Sequence, residues 1–135
     1  MQVRDFKLSV LFERAEDLPG FWNASILELD AVTTGPTLEQ AFDLAVDMAV
    51  TLIADDLKCD REPTREPEPD ALERYRKVLW DGKPIEGSMA ELAQHEGKLV
   101  AVAAVAMLSF ARREAAKPAH RAEMRPVAEA AYAFA

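Results

Sequence analysis

The hydrophobic period of the chain changes abruptly at Pro36, and this change constrains the fold more than any other feature of the sequence. Residues 28–34, ELDAVTT, have the character of a short strand, whereas residues 38–53 repeat apolar side chains at helical spacing. Thr37 is suited to cap this helix, and Gln40 three residues later completes a capping box. The sequence therefore predicts a strand, a tight turn and a long helix in immediate succession.

Two further strands are predicted upstream of this turn. Residues 6–14, FKLSVLFER, alternate apolar and polar side chains with a period of two. Leu11 interrupts the polar side, which suits a sheet partly covered on both faces. Residues 21–29 form a second candidate strand, and residues 15–20, AEDLPG, supply the turn between the two. With the short strand at residues 30–35, they predict an antiparallel sheet.

The second half of the chain combines helical, charged and apolar segments. Residues 57–80 contain an exposed linker, rich in proline and charge, and then a helix that begins at Asp70; a short helix follows at residues 89–95. Residues 98–108, KLVAVAAVAML, suit a buried strand or a helix, and the glycine before them favours the strand. Residues 111–135 are rich in alanine and contain two prolines, so they predict a helical tail that packs on the domain.

These elements predict one α+β domain over residues 1–110. The expected architecture is an antiparallel sheet of three to four strands packed on one long helix, with extra helices from the insertion at about residues 57–80 and from the C-terminus, residues 111–135. No apolar run reaches the roughly 18 residues of a membrane span, and no secretory signal is evident at the N-terminus. We therefore expect a cytoplasmic protein that does not contact a membrane.

The net charge of −8 lies in the first part of the chain. Residues 1–56 contain three basic and eleven acidic side chains, whereas acidic and basic side chains are equal in number in the remainder. Within the predicted long helix, three carboxylates recur every four residues and therefore share one face: Glu39, Asp43 and Asp47. Such a surface repels nucleic acid and attracts a basic protein partner. The alternative is that the charge serves solubility alone.

The order of these elements resembles the HicB family, the antitoxin half of HicA–HicB toxin–antitoxin pairs. Residues 11–49, which run from LFERAEDLPGFW to AFDLAVDMA, are similar to the family's acidic-Gly turn, its aromatic-led second strand and its Gly-x-Thr helix start. Residues 81–108, which run from DGKPIEGS to AVAML, are similar to its Asp-Gly-x-Pro-Ile segment, its Ser-initiated helix and its final core strand. Together the two segments cover about half of the chain.

Three departures from the family pattern affect what the resemblance implies. The second strand lacks the family's Pro-Gly-Cys end. An insertion at roughly residues 57–72 lengthens or doubles the helical layer. The family commonly ends in a DNA-binding segment, but residues 111–135 are nearly neutral and contain two prolines, so they are not expected to supply a basic recognition helix. Direct binding to DNA is therefore not expected.

The resemblance implies a reduced RNase H-like fold, a homodimer and a steric mechanism. In that mechanism the protein occludes a small basic toxin of the HicA type, which cleaves RNA. The partner-binding candidates are the three helix carboxylates, Glu39, Asp43 and Asp47, together with Trp80, which adjoins an Asp-Gly turn and suits an interface anchor. Four further carboxylates are expected to add to the same attraction: Glu28, Asp30, Asp55 and Asp56.

An RNase H-like outline also raises the question of a two-metal site. The candidate ligands are Glu13, Asp17, Glu28, Asp30 and Asp43, but none projects from the middle of the predicted first strand. The single cysteine, Cys59, lies in the charged linker, and His95 and His120 occur where surface histidines are common. No catalytic residue, metal ion or cofactor is expected.

Three functional hypotheses remain. The first is a non-catalytic, HicB-like binding protein of the antitoxin type that occludes a basic partner protein. The second is an acidic inhibitor or nucleic-acid mimic, for example phage-encoded, that blocks a nucleic-acid-processing enzyme. An enzyme is a distant third.

Overall fold

A computed structural model describes residues 3–83, 89–111 and 124–133, with side chains for residues 4–83 and 91–110. Its elements in chain order are β1 (Val3–Arg14), β2 (Trp22–Ile26), β3 (Ala31–Gly35), α1 (Leu38–Lys58), α2 (Pro69–Asp81), α3 (Met89–Ala93), β4 (Leu99–Ala111) and β5 (Met124–Ala133). None of the helices in this part of the chain is long and apolar enough to span a lipid bilayer.

The strands form one antiparallel sheet in the order β3-β2-β1-β4-β5. The central strand β1 pairs with β2 through residues 10–14 and with β4 through residues 3–13. The α+β class and the antiparallel sheet with a long helix are therefore confirmed. β4 also confirms the strand predicted within residues 98–108, which begins at Leu99.

One face of the sheet packs against α1 and forms the main core. Because alternate residues of a strand point to opposite faces, most of the even-numbered apolar residues of β1, β2 and β4 lie in this core. Phe12 and Trp22 are fully buried in this core, and aromatic side chains of this size each remove roughly 150–250 Å² from water. The main contributors from the strands are Phe6, Leu8, Val10, Phe12, Trp22, Ala24, Ile26, Val102, Leu108 and Phe110.

The opposite face of the sheet packs against α2. Leu11 of β1 and Ala103 of β4 are fully buried under Tyr75 and Val78 of this helix. The insertion therefore adds a helix on the other face of the sheet, so the helices form two layers, one on each face. The physical reason is that the odd-numbered apolar side chains of the sheet would be exposed to water unless a second element packed on that face.

The linker between α1 and α2 passes from one face of the sheet to the other. It is held near β1 by the pair between Arg4 and Glu62, and the backbone N–H of Arg65 donates to the carbonyl of Glu28 at 2.9 Å. Most of its side chains are exposed, as predicted, but Pro63 is buried. The hydrogen bond from Arg4 holds the pKa of the Glu62 carboxyl below its ordinary value.

The second strand is shorter than the sequence predicts. It ends at Ile26, and a 3₁₀ turn over Leu27–Leu29 follows. In this turn Leu27 joins the core under α2, whereas Leu29 joins the core under α1. Burial of both leucines on opposite sides of the sheet explains why the strand ends early.

The helical tail predicted at residues 111–135 is wrong over its described part, because Met124–Ala133 form β5 and pair with β4. Residues 112–123, 134 and 135 of that prediction lie outside the described residues. An alanine-rich segment has helical propensity, but β4 offers an open edge, and pairing with it overrides that preference. Pro126 is compatible with this position because β5 is an edge strand.

Candidate partner-binding surface

The N-terminus of α1 is fixed by two side chains from different parts of the chain. The hydroxyl of Thr37 accepts a hydrogen bond from the backbone N–H of Gln40 at 3.1 Å, which confirms the predicted cap. The carboxylate of Glu96 accepts a second hydrogen bond, from the N–H of Leu38 at 2.9 Å. A negative charge at this end also interacts favourably with the helix dipole.

The same carboxylate ties the helix to the sheet. Oε1 of Glu96 accepts a hydrogen bond from the indole of Trp22 at 2.8 Å, and the guanidinium of Arg14 lies 3.9 Å from the Trp22 ring centroid. Arg14 also donates to the backbone carbonyl of Glu96 at 2.6 Å. These contacts connect α1 with β1 and β2, so the outer face of the helix is presented on a rigid support.

The outer face of α1 carries the three carboxylates identified in the sequence. Glu39, Asp43 and Asp47 are all exposed, and four helical residues rise about 6 Å, so the charges follow one another along the helix axis. No ion pair found within residues 4–83 and 91–110 involves any of them. We call these three residues the acidic row; their charge is free to act on another molecule.

Beside the acidic row lies a second row that the sequence analysis did not identify. Leu44 is 47% exposed and Leu52 is 38% exposed, and half-buried Met48 lies between them. We call Leu44, Met48 and Leu52 the apolar row. The sequence could have revealed this row, because a spacing of four residues places the three side chains on one line of the helix, apart from its buried face. Exposed apolar side chains suggest an interaction surface when they are contiguous, and the three residues of the apolar row adjoin one another along the helix.

The four additional carboxylates expected to strengthen this surface do not act together. Glu28 is bound to Ser9, whose N–H and hydroxyl donate to its two carboxylate oxygens at 2.6 and 2.9 Å. Asp56 is paired with Arg61 at 3.1 Å. Asp30 and Asp55 are exposed, but only Asp55 lies on α1. Glu28 is therefore engaged within the fold, where it completes the hydrogen bonding of β1 beyond the end of β2. Its contribution to the attraction of a basic partner stays a prediction.

Trp80 is 90% exposed, but it does not belong to the same surface as the acidic row. It lies on α2, which packs on the opposite face of the sheet from α1. The structure therefore brings Glu39, Asp43 and Asp47 together and separates them from Trp80. The sequence could not reveal this, because the periodicity of α2 does not say which face of the sheet it covers.

The carboxylates considered for a metal site are dispersed. Glu13 is paired with Arg74 at 3.3 Å, Glu28 binds Ser9, and Asp43 lies on the outer face of α1. Within the described part of the chain, no group of three or more His, Cys, Asp or Glu side chains is placed to hold a metal ion. Cys59 and His95 are exposed, and His120 lies outside the described residues.

A polar cleft of about 440 Å³ opens on the α2 side of the sheet, at the end of the β1–β2 hairpin. Its lining contains charges of both signs, including the ion pair between Glu13 and Arg74. Histidine, serine and cysteine are absent from the residues that line it, so it lacks the usual nucleophile–base pair. The lining residues are Glu13, Arg14, Glu16, Asp17, Asn23 and Arg74.

Comparison of the chain with protein-family models, with curated proteins and with solved structures gave no match. The outer face of α1, with its acidic and apolar rows, is therefore assigned as the candidate functional site from the residues and geometry of this chain.

Proposed function

We propose that this protein is a non-catalytic, HicB-like binding protein of the antitoxin type, which occludes a basic partner protein of the RNA-cleaving toxin class. The single observation that carries the proposal is the outer face of α1. On this face an exposed acidic row, without an ion pair among the described residues, lies beside a partly exposed apolar row on a helix fixed at its N-terminus.

The two rows would contribute to binding in different ways. Exposed carboxylates accelerate the encounter with a basic surface and disfavour acidic competitors. Burial of Leu44 and Leu52 by the partner would supply apolar area, which holds the complex together after the encounter. The charge of −8 carried by residues 1–56 adds to the attraction over longer distances.

The proposal partly rests on the family resemblance, and the order of the elements is compatible with it in general terms. Three strands, the turn at Gly35–Thr37 and the long helix follow one another in the order that the resemblance implies. The backbone of β5 is paired into the sheet, so residues 124–133 do not form a recognition helix. Direct binding to DNA is not part of the proposal, and its absence remains a prediction. The homodimer and the cytoplasmic location remain predictions.

The proposal is tested by affinity capture from the native host, with mass spectrometry of the captured proteins. The wild-type protein is expected to retain a small basic protein, and adding purified protein to that partner should suppress its cleavage of RNA. The variant E39K/D43K/D47K should fold but should fail to retain the partner or to inhibit it.

A matched control separates the acidic row from net charge. The variant E16K/D17K/E66K changes three exposed carboxylates in the β1–β2 turn and the linker, so its total charge equals that of the row variant. It should capture the partner nearly as well as wild type. Equal capture by the row variant and the wild type would refute the proposal.

The spacing of the acidic row favours a second candidate function. Carboxylates that recur about every 6 Å along a rigid helix present a regular line of negative charge, as a nucleic-acid strand does. An acidic inhibitor that mimics nucleic acid would use the same surface. Capture of a nucleic-acid-processing enzyme, with loss of its binding to DNA or RNA when the protein is added, would favour this candidate over the toxin partner.

A further inference from the structure

The outer face of α2 carries a second exposed surface with the opposite charge. Trp80 lies between Arg76 and Lys77, which precede it by four and three residues and therefore lie one turn away on the same side of the helix. Tyr75 and Val78, which pack on the sheet, lie on the other side. We call Arg76, Lys77 and Trp80 the basic-aromatic patch.

The patch exposes a residue type that is usually buried. Trp80 is 90% exposed, although a tryptophan side chain is usually buried for most of its area. No ion pair found within residues 4–83 and 91–110 involves Arg76 or Lys77. Tryptophan and arginine are also the residue types that most often dominate binding at protein interfaces.

The same chain carries the complementary surface on α1. The acidic row offers carboxylates to Arg76 and Lys77, and the apolar row offers Leu44 and Leu52 to the indole of Trp80. The two surfaces lie on opposite sides of the sheet. They therefore cannot meet within one molecule, although they can meet between two copies.

We propose that the basic-aromatic patch of one copy docks on the outer face of α1 of a second copy. In this contact Trp80 packs on the apolar row, and Arg76 and Lys77 pair with Asp43 and Asp47. The contact joins two different surfaces, so it is a head-to-tail contact and differs from a closed two-fold dimer. Repetition of the contact would form a ring or a short chain of molecules.

The composition of the patch argues for a second copy over a nucleic acid or an anionic membrane. The net charge of −8 opposes the approach of phosphate groups and of a second copy alike, so the local composition of the two surfaces decides between them. The patch is also bordered by exposed Glu73 and Asp81 on the same helix, so it is not a uniformly basic surface. A protein surface that presents apolar side chains beside a few carboxylates suits it better, and the outer face of α1 has this composition.

The contact would have a regulatory consequence that rests on the proposed function. A second copy would cover the same outer face of α1 that we assign to the basic partner. Self-association and partner binding would then be mutually exclusive, and the partner would release the protein from its assemblies. The self-association itself does not depend on the identity of the partner.

The test begins with sedimentation velocity over a wide range of protein concentrations at low and high salt. The average mass of the wild type should rise with concentration at low salt and less at high salt. Trp80→Ala should weaken association by at least about tenfold. Leu18→Ala, which alters another exposed apolar side chain, should leave it unchanged, and circular dichroism checks that both variants fold.

A charge exchange makes the test specific for the two surfaces. The variants D43K/D47K and R76E/K77E should each lose association alone, because like charges then face each other. Their mixture should associate, since the reversed patch of one copy then faces the reversed row of the other. Failure of the mixture to associate, or undiminished association of Trp80→Ala, would overturn the proposal.

Two further measurements distinguish other outcomes. The wild type is tested for binding to anionic phospholipid vesicles and to single-stranded DNA. If it binds either one and R76E/K77E does not, the patch serves a different ligand and the proposal is overturned. R76E/K77E leaves the acidic row intact, so it should still capture the basic partner. If R76E/K77E no longer self-associates but still captures the partner, the result supports the self-contact. If the wild type self-associates but captures no partner, the result contradicts only the proposed function.

Discussion

Oε1 of Glu96 lies 2.8 Å from Nε1 of Trp22 and accepts its hydrogen bond. The same oxygen accepts the backbone N–H of Leu38, the first residue of α1. A side chain from the turn before β4 thus joins a buried indole of β2 to the start of the helix that carries the candidate site. The orientation of that site depends on a contact between residues 74 positions apart in the chain.

Replacement of Glu96 by alanine removes the acceptor of both hydrogen bonds. Leaving a buried donor unsatisfied costs about 1–3 kcal/mol, and we expect a loss of that size in the free energy of unfolding measured by urea denaturation. Glu96→Gln keeps an acceptor oxygen and should cost less. The control is Glu66→Ala in the exposed linker. Equal losses for Glu96→Ala and Glu66→Ala would show that the contact does not stabilise the fold.

Gly35 is predicted to be intolerant of a side chain. A Cβ atom at this position would lie 2.7 Å from the backbone nitrogen of Ala41 in the first turn of α1. Since backbone atoms cannot move aside cheaply, Gly35→Ala should lower the free energy of unfolding by roughly 1–3 kcal/mol. At Gly97 a Cβ would meet nothing within 4 Å, so Gly97→Ala is the matched control. A neutral Gly35→Ala would mean that β3 and α1 are less closely packed.

Tyr75 is predicted to hold α2 on the sheet. It is buried, and its hydroxyl donates to the carbonyl of Ala104 at 3.2 Å. Removal of a buried aromatic side chain costs roughly 3–5 kcal/mol, so Tyr75→Ala should destabilise the layer strongly. In Tyr75→Ala, amide hydrogen exchange should accelerate more in α2 than in α1. Glu73→Ala on the exposed side of α2 should change neither helix, and unchanged protection of α2 in Tyr75→Ala would contradict the packing.

The pair between Arg4 and Glu62 gives a prediction about pH. The hydrogen bond from Arg4 lowers the pKa of Glu62 from its ordinary value of 4.5. The pair therefore contributes to stability above that pH, and the contribution is lost as the pH falls through the lowered pKa. In Arg4→Ala, NMR titration of the Glu62 carboxyl should return a pKa nearer the ordinary value. Lys7→Ala on the same strand is the control; an unchanged pKa in Arg4→Ala would disprove the pair.

The elements predicted correctly from the sequence are those whose signals are local. The alternation along residues 6–14 defines β1, and the cap at Thr37 defines the start of α1. The acidic row was also predictable, because the four-residue spacing of Glu39, Asp43 and Asp47 places them on one face whatever the helix packs against.

The elements that escaped prediction depend on contacts between distant residues. β5 forms because β4 has an open edge with which it can pair. The alanine-rich sequence of β5 gives no sign that this edge exists. The position of α2 depends on the need to cover Leu11 and Ala103. For the same reason, the separation of Trp80 from the acidic row could not be derived from either helix alone.

We propose the acidic row of α1 as the docking surface for a basic protein. The most direct measurement is the association rate constant between this protein and its captured basic partner, at low and at physiological salt. We expect E39K/D43K/D47K to associate about tenfold more slowly than the wild type at low salt, and E16K/D17K/E66K to stay much closer to the wild type. Both differences should shrink as salt is added. Equal association rates for the wild type and E39K/D43K/D47K at low salt would contradict the proposal.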